Sequence, residues 1–185
     1  MAIQGLIVPP NYFSKLESEK INASLIYLFG PITGAPNWHE EAIKRIRFYS
    51  PDVYIACPSG RLDKEFIEGI KPLGAKNGEE QNEWENYHRE RAQKKGCILF
   101  WFAKQTKPIS FSPQFKIYAH SATTQIGRYS ILQRQDKKIK IAVGIEPGFF
   151  GERSLANTLT KDDPNIKIFS GLEETCKEAA ILACK

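Results

Sequence analysis

A chain of 185 residues with 42% hydrophobic and 25% charged residues carries enough apolar material for a packed core, which excludes a disordered protein. No apolar run approaches the ~20 residues of a membrane span, and "MAIQGLIVPPNYF" lacks the features of a signal peptide, so the sequence predicts a cytoplasmic protein with no membrane partner. The net charge of +5 suits an anionic partner, but the cations of "KRIR", "QKKG" and "DKKIKI" are dispersed, which argues against a nucleic-acid-binding stripe.

Residues 1–23, with Pro9-Pro10, read as an N-terminal arm laid over the body. "SLIYLFGP" (24–31) is a short apolar run ending in Gly-Pro and predicts a buried strand. In "NWHEEAIKRIRFYS", Trp38, Ala42, Ile46 and Tyr49 recur on one helical face. Asn37 is the expected N-cap, with Glu40 three residues on as in a capping box. "DVYIACPSG" (52–60) predicts a second strand, stopped by Pro58 and Gly60. A polar helix follows from about Glu79 to Lys95, closed by Gly96.

"CILFWFA" (97–103) is the most hydrophobic strand, and so continuous a run implies burial on both faces, as in a parallel sheet. The stretch "KQTKPISFSPQFKIYAH" (104–120) is long for a connection, which favours a functional loop. A helix from about Thr123 to Gln135 buries Ile126, Tyr129 and Leu132. "KIKIAVGIEP" (138–147) is a fourth strand, "NIKIFS" (165–170) a fifth, and "LEETCKEAAILAC" a closing helix. Without repeats or linkers, residues 1–185 read as one domain. Strands alternating with helices predict a doubly wound α/β fold with a five-stranded parallel sheet in the order 2-1-3-4-5. Ligands of such sheets bind beyond the carboxyl ends of the strands.

Chemistry-bearing motifs are sparse. Cys57, Cys97, Cys176 and Cys184 form no C-x-x-C, and His39, His88 and His120 are far apart, so no metal site or cofactor is expected. Cys57 and Cys97 sit in strand-like runs and read as small core residues. "GPITGAPNW" lacks the spacing of a dinucleotide or P-loop motif, yet its glycines and Pro31 let backbone approach a ligand directly after a strand.

Taken in order, "IYLFGPITG…NW", "NEWENYHRERAQKKGCILFWFA", "TTQIGRYS" and "IKIAVGIEPGFFGERS" resemble the nucleoside 2-deoxyribosyltransferase-like superfamily over residues 7 to 160. The resemblance implies a flavodoxin-like fold, a homo-oligomer, and cleavage or transfer at the N-glycosidic bond of a nucleoside or nucleotide. In that chemistry a Glu carboxylate attacks the anomeric carbon, as in retaining glycosidases. Tyr27 then matches the residue that orients the carboxylate, Gly30 and Pro31 match the turn that walls the sugar, and Ile32 after them is a further substrate-binding candidate. Gln125 falls on the nucleophile and Ala119 on a base-contacting Asp. Both departures matter, because an amide is a poor nucleophile. The resemblance therefore implies an inactive or trapped enzyme, with a non-catalytic nucleotide-binding or sensing protein as the alternative.

The predicted pocket is bounded by Tyr27, Gly30, Pro31, Trp101 and Gln125. His120, Ser121, Thr123 and Thr124 are candidate donors to a sugar or phosphate at a helix start. Trp84, His88 and Arg91 share one helix face, which either lines a pocket or packs. Trp101 either stacks on a base or belongs to the core, and Trp38 either caps the pocket or staples its helix. Glu85 is the one carboxylate nominated as a substitute acid or base. Arg153 and Asn157 either reach a ligand across a subunit interface or lie on a solvated helix. The aromatic loop "PGFFGER" supports the oligomer.

Overall fold

The computed structural model of the protein describes residues 5–9, 23–59, 61–63, 78–109 and 117–185. Its strands are β1 (Leu6–Ile7), β2 (Leu25–Phe29), β3 (Tyr54–Ala56), β4 (Gly96–Phe102), β5 (Ile141–Ile145) and β6 (Ile168–Phe169). The helices among the described residues are α1 (Trp38–Tyr49), α2 (Gly78–Lys94), α3 (His120–Gln135), α4 (Glu152–Asp162) and α5 (Leu172–Ala183). The most apolar run, β4, lies inside the sheet with all seven residues buried. Every strand pair is parallel, and the order across the sheet is β1-β3-β2-β4-β5-β6.

The protein is α/β, but its sheet is six-stranded, and the five-stranded flavodoxin-like sheet in the order 2-1-3-4-5 is not what the chain forms. The sixth strand comes from within the stretch read as an arm. Leu6 and Ile7 pair in parallel with Ile55 and Ala56, while Ile55 N–H donates to Gly5 and Cys57 N–H to Ile7. Leu6, Ile7 and Val8 are all buried, so this edge is stabilised by apolar contact as well as by the ladder. Two residues followed by Pro9-Pro10 are too few to display a strand period, and the sequence hides them for that reason. With the five-stranded sheet goes the resemblance to the nucleoside 2-deoxyribosyltransferase-like superfamily, together with the transferase and Rossmann-like assignments that rested on it. The remainder of the expected arm and residues 110–116 of the long connection lie outside the described residues.

Alternation along β2 and β4 divides the core between the two faces of the sheet. Ile26, Leu28, Cys97, Leu99 and Trp101 pack with Trp38, Ala42, Ile43 and Ile46 of α1 and Cys176, Ala179 and Ala183 of α5. Leu25, Tyr27, Phe29, Ile98, Phe100 and Phe102 pack with Trp84 and Ala92 of α2, Ala122, Ile126 and Tyr129 of α3, and Leu159 of α4. Helices thus cover both faces, which explains the unbroken apolar runs of the inner strands.

The start of α1 departs from the expected capping box. Asn37 makes no side-chain cap hydrogen bond; its amide donates to the Arg61 carbonyl at 3.1 Å instead. Glu40 accepts from the Asp63 backbone N–H at 2.7 Å. Both polar side chains are therefore used to hold the loop after β3 against the helix.

Candidate functional site

Beyond the carboxyl end of β2 the chain turns through Gly30–Gly34, and hydrogen bonds to three of its carbonyls hold that turn. Trp38 Nε1 donates to the Pro31 carbonyl at 2.9 Å, and Arg61 Nη1 donates to the Ile32 carbonyl at 2.7 Å. The backbone N–H groups of Thr106 and Lys107 both donate to the Gly34 carbonyl, at 2.8 and 3.1 Å. Gly30 is required by close approach. A Cβ there would stand 2.3 Å from the Trp101 carbonyl oxygen and 2.6 Å from the Trp38 ring.

This turn forms one side of a cleft of about 470 Å³, within the size range of small-molecule sites. Tyr27, Leu28 and Phe29 supply the end of β2, and Gly30, Pro31, Ile32 and Thr33 the turn. Pro58 contributes from the loop after β3 and Glu85 from α2. Ile109 and Ile117 contribute from the two ends of the long connection, and Ala119, His120, Ser121 and Ala122 from the start of α3. The wall is mostly apolar, with Glu85, Tyr27, His120 and Ser121 among its polar side chains.

Tyr27 is buried, and that burial, reinforced by the nearby Glu85 carboxylate and opposed by Arg89, holds its phenol well above the usual tyrosine range. It therefore stays a neutral hydroxyl at physiological pH. Glu85 is itself oriented, since Gln81 Nε2 donates to its Oε1 at 2.9 Å. Arg89 is fixed one turn on, donating Nε–H to the Glu85 carbonyl at 3.2 Å with its guanidinium 5.5 Å from the Phe29 ring centroid.

Helix α3 opens on a strained residue. Ala119 has φ 57° and ψ 13°, a left-handed conformation that non-glycine residues rarely adopt. As N-cap it offers no side-chain oxygen to the first-turn N–H groups, and no acidic residue stands in that turn. The helix start is thus electropositive and borders the cleft. Tyr118, immediately before, is pinned by its hydroxyl donating to the Ala103 carbonyl at 2.6 Å.

The sequence-predicted residues divide into two groups. Tyr27, Gly30, Pro31, Ile32 and Ser121 meet in the cleft, with Glu85 beside them. Trp84 and His88 face the sheet with no exposed surface, and His88 Nδ1 donates to the Trp84 carbonyl at 2.8 Å. Arg91 donates to the Ala23 carbonyl at 3.2 Å. Trp101 is buried in the opposite core layer, under Gly30 and Gly144. Trp38 serves the turn from behind through its bond to Pro31. Thr123 and Thr124 turn their hydroxyls back onto the His120 carbonyl, at 3.0 and 2.9 Å. Gln125, expected to bound the pocket, is half-buried and not among the residues lining the cleft, and among the described residues its buried Oε1 has no hydrogen-bond partner. Arg153 and Asn157 are exposed on α4.

Sequence reasoning passed over Ile109 and Ile117, whose only signal was the length of the connection that they flank. A second, smaller groove of about 320 Å³ runs between α3 and α4 past Thr123, Ile126, Gly127 and Leu155. On its rim Phe149 is buried while Phe150 is 89% exposed. Cys57 is inert, its thiol pushed up to about 12 by burial. Among the described residues no group of three His, Cys, Asp or Glu side chains is placed to hold a metal ion. Among the same residues no helix is long and apolar enough to cross a membrane. No protein-family model matches the chain, and no curated protein is significantly similar to it.

Proposed function

We propose that the cleft at the carboxyl edge of the sheet binds a nucleoside or nucleotide and that the protein acts by holding this ligand rather than by turning it over. The observation that carries the reading is the composition of one cleft. Apolar walls from Pro31, Ile32, Ile109 and Ile117 suit the flat face of a base, and Glu85 with Tyr27 suits hydroxyl or amino groups. The start of α3, with His120 and Ser121, suits a phosphate. The net charge of +5 draws an anionic ligand toward the protein.

Bond cleavage is the second reading, in which position 125 is the place of an attacking carboxylate occupied by Gln. The observation behind it is the buried Oε1 of Gln125, which has no hydrogen-bond partner among the described residues, although the side chain is not one of those that line the cleft. Association of like chains belongs to the same proposal, supported by the exposed Phe150 beside the groove between α3 and α4. A cytoplasmic setting is supported by four free cysteines.

Titration calorimetry with nucleosides, their 5′-phosphates and short oligonucleotides tests the reading. A one-to-one signal from a mononucleoside or mononucleotide is expected, with its loss in Ser121→Trp, which fills the cleft from the rim. Binding of oligonucleotides alone, or of small ligands undisturbed by Ser121→Trp, overturns it.

A further inference from the structure

We infer that Glu85 determines the specificity of the cleft, accepting a hydrogen bond from an uncharged donor group of the ligand, a hydroxyl or an amine, and directing any phosphate away toward α3. This rests on the binding reading above and goes further, because it fixes which end of the ligand meets which wall. Glu85 stands in the cleft wall next to the end of β2. Its Oε1 accepts from Gln81 at 2.9 Å, and among the described residues no second donor meets the carboxylate, which leaves Oε2 as an acceptor. Arg89, one turn on, donates to the Glu85 carbonyl and to Asn86 Oδ1 and lies over Phe29, so its guanidinium is directed to groups other than the Glu85 carboxylate. The carboxylate charge is therefore not cancelled by an ion pair among the described residues.

A carboxylate facing a largely apolar cleft accepts strongly from neutral donors and repels anions. Tyr27, a cleft-lining residue at the end of β2, is kept neutral near it and adds no charge to the same wall. The start of α3 lines the same cleft and is electropositive, so a phosphate is favoured there and disfavoured beside Glu85, which orients a ligand that carries both a donor and a phosphate. The donor on a nucleoside can be a sugar hydroxyl or an exocyclic amine, and the chemistry at Glu85 is the same for both.

A ligand and protein double-variant cycle tests the inference. Adenosine, 2′,3′-dideoxyadenosine and purine riboside are titrated into the wild-type chain, Glu85→Gln and Glu85→Ala, with circular dichroism confirming that all three fold. A wild-type affinity about tenfold to a hundredfold above that of Glu85→Ala is expected for adenosine, the worth of a hydrogen bond to a charged group. Removing the matching donor from the ligand should cost the wild type the same factor and cost Glu85→Ala nothing. Loss confined to dideoxyadenosine assigns the sugar hydroxyls, and loss confined to purine riboside assigns the amine. Equal affinities of wild type and Glu85→Ala for all three ligands overturn the inference while leaving the cleft reading intact. Absence of binding by every ligand, in every form, overturns the cleft reading itself and this inference with it.

Discussion

Trp38, the first residue of α1, donates its indole N–H to the carbonyl oxygen of Pro31 across a buried 2.9 Å contact. One bond thus ties the helix to the turn that walls the cleft. Trp38→Phe keeps an aromatic ring but removes the donor and strands the carbonyl. We expect a loss of about 1–3 kcal/mol, the usual cost of an unsatisfied buried acceptor. Urea unfolding should show a lower midpoint at unchanged slope. An unchanged midpoint would mean that the turn is held by Arg61 and the Gly34 contacts alone.

Stability should fall with acid between about pH 6.5 and 3, through two histidines. Burial, with Arg61 nearby, lowers the pKa of His39 to about 3. Burial also lowers His88 to about 4, against the opposing effect of its bond to the Trp84 carbonyl. The unfolded chain binds these protons near pH 6.5, where the folded chain still refuses them. Their stabilising effect is thus complete above that pH and is lost as pH falls toward the folded values. At pH 5 each should cost roughly 2 kcal/mol relative to neutral pH. Comparing urea midpoints at pH 7.5 and 5 checks this, and His39→Leu should remove about half of the difference. Equal midpoints at the two pH values would show that protons enter the folded core freely.

The left-handed Ala119 predicts the opposite kind of change. Its Cβ opposes a φ of 57°, at a cost of about 1–2 kcal/mol that glycine avoids. Glycine returns part of this as extra freedom in the unfolded chain. Ala119→Gly should therefore raise stability by up to about 1 kcal/mol, read as a higher thermal midpoint. A drop instead would mean that the methyl packs at the cleft wall more favourably than its backbone is strained.

The inner strands were legible because burial on both faces writes itself as continuous apolar runs such as "CILFWF". A two-residue edge strand writes nothing comparable, and Leu6–Ile7 alone changed the sheet. The face shared by Trp84 and His88 was also legible from their four-residue spacing. What spacing does not encode is where a face looks, and here it looks at Tyr27, 6.3 Å from the Trp84 ring, inside the core. Asn37 shows the same limit from the polar side. Its residue type suits a cap, but the Arg61 carbonyl, distant in sequence, takes its amide. Tyr27, Gly30 and Pro31 could be read because a strand end followed by Gly-Pro places them at the carboxyl edge whatever else the chain does.

Gln125 separates the two functional readings. Among the described residues its buried amide oxygen has no partner, and it lies on the helix whose first turn borders the cleft. If it serves no ligand, removing the amide should help the fold. Gln125→Met, of similar length and apolar, should then raise stability by about 1 kcal/mol, since an unsatisfied buried acceptor disappears. Gln125→Glu keeps the shape and supplies a carboxylate. The binding reading expects no free base from either the wild type or Gln125→Glu, when each is incubated with nucleosides and their 5′-phosphates and the products are separated by chromatography. The cleavage reading expects base release from Gln125→Glu alone, because an amide cannot form the ester-linked sugar intermediate and a carboxylate can. The gain would be large, on the order of 10⁴ to 10⁶ in rate, as removal of a nucleophile commonly costs that much. Base release by both forms at similar rates would put the nucleophile elsewhere, with Glu85 in the cleft wall as the next carboxylate to vary.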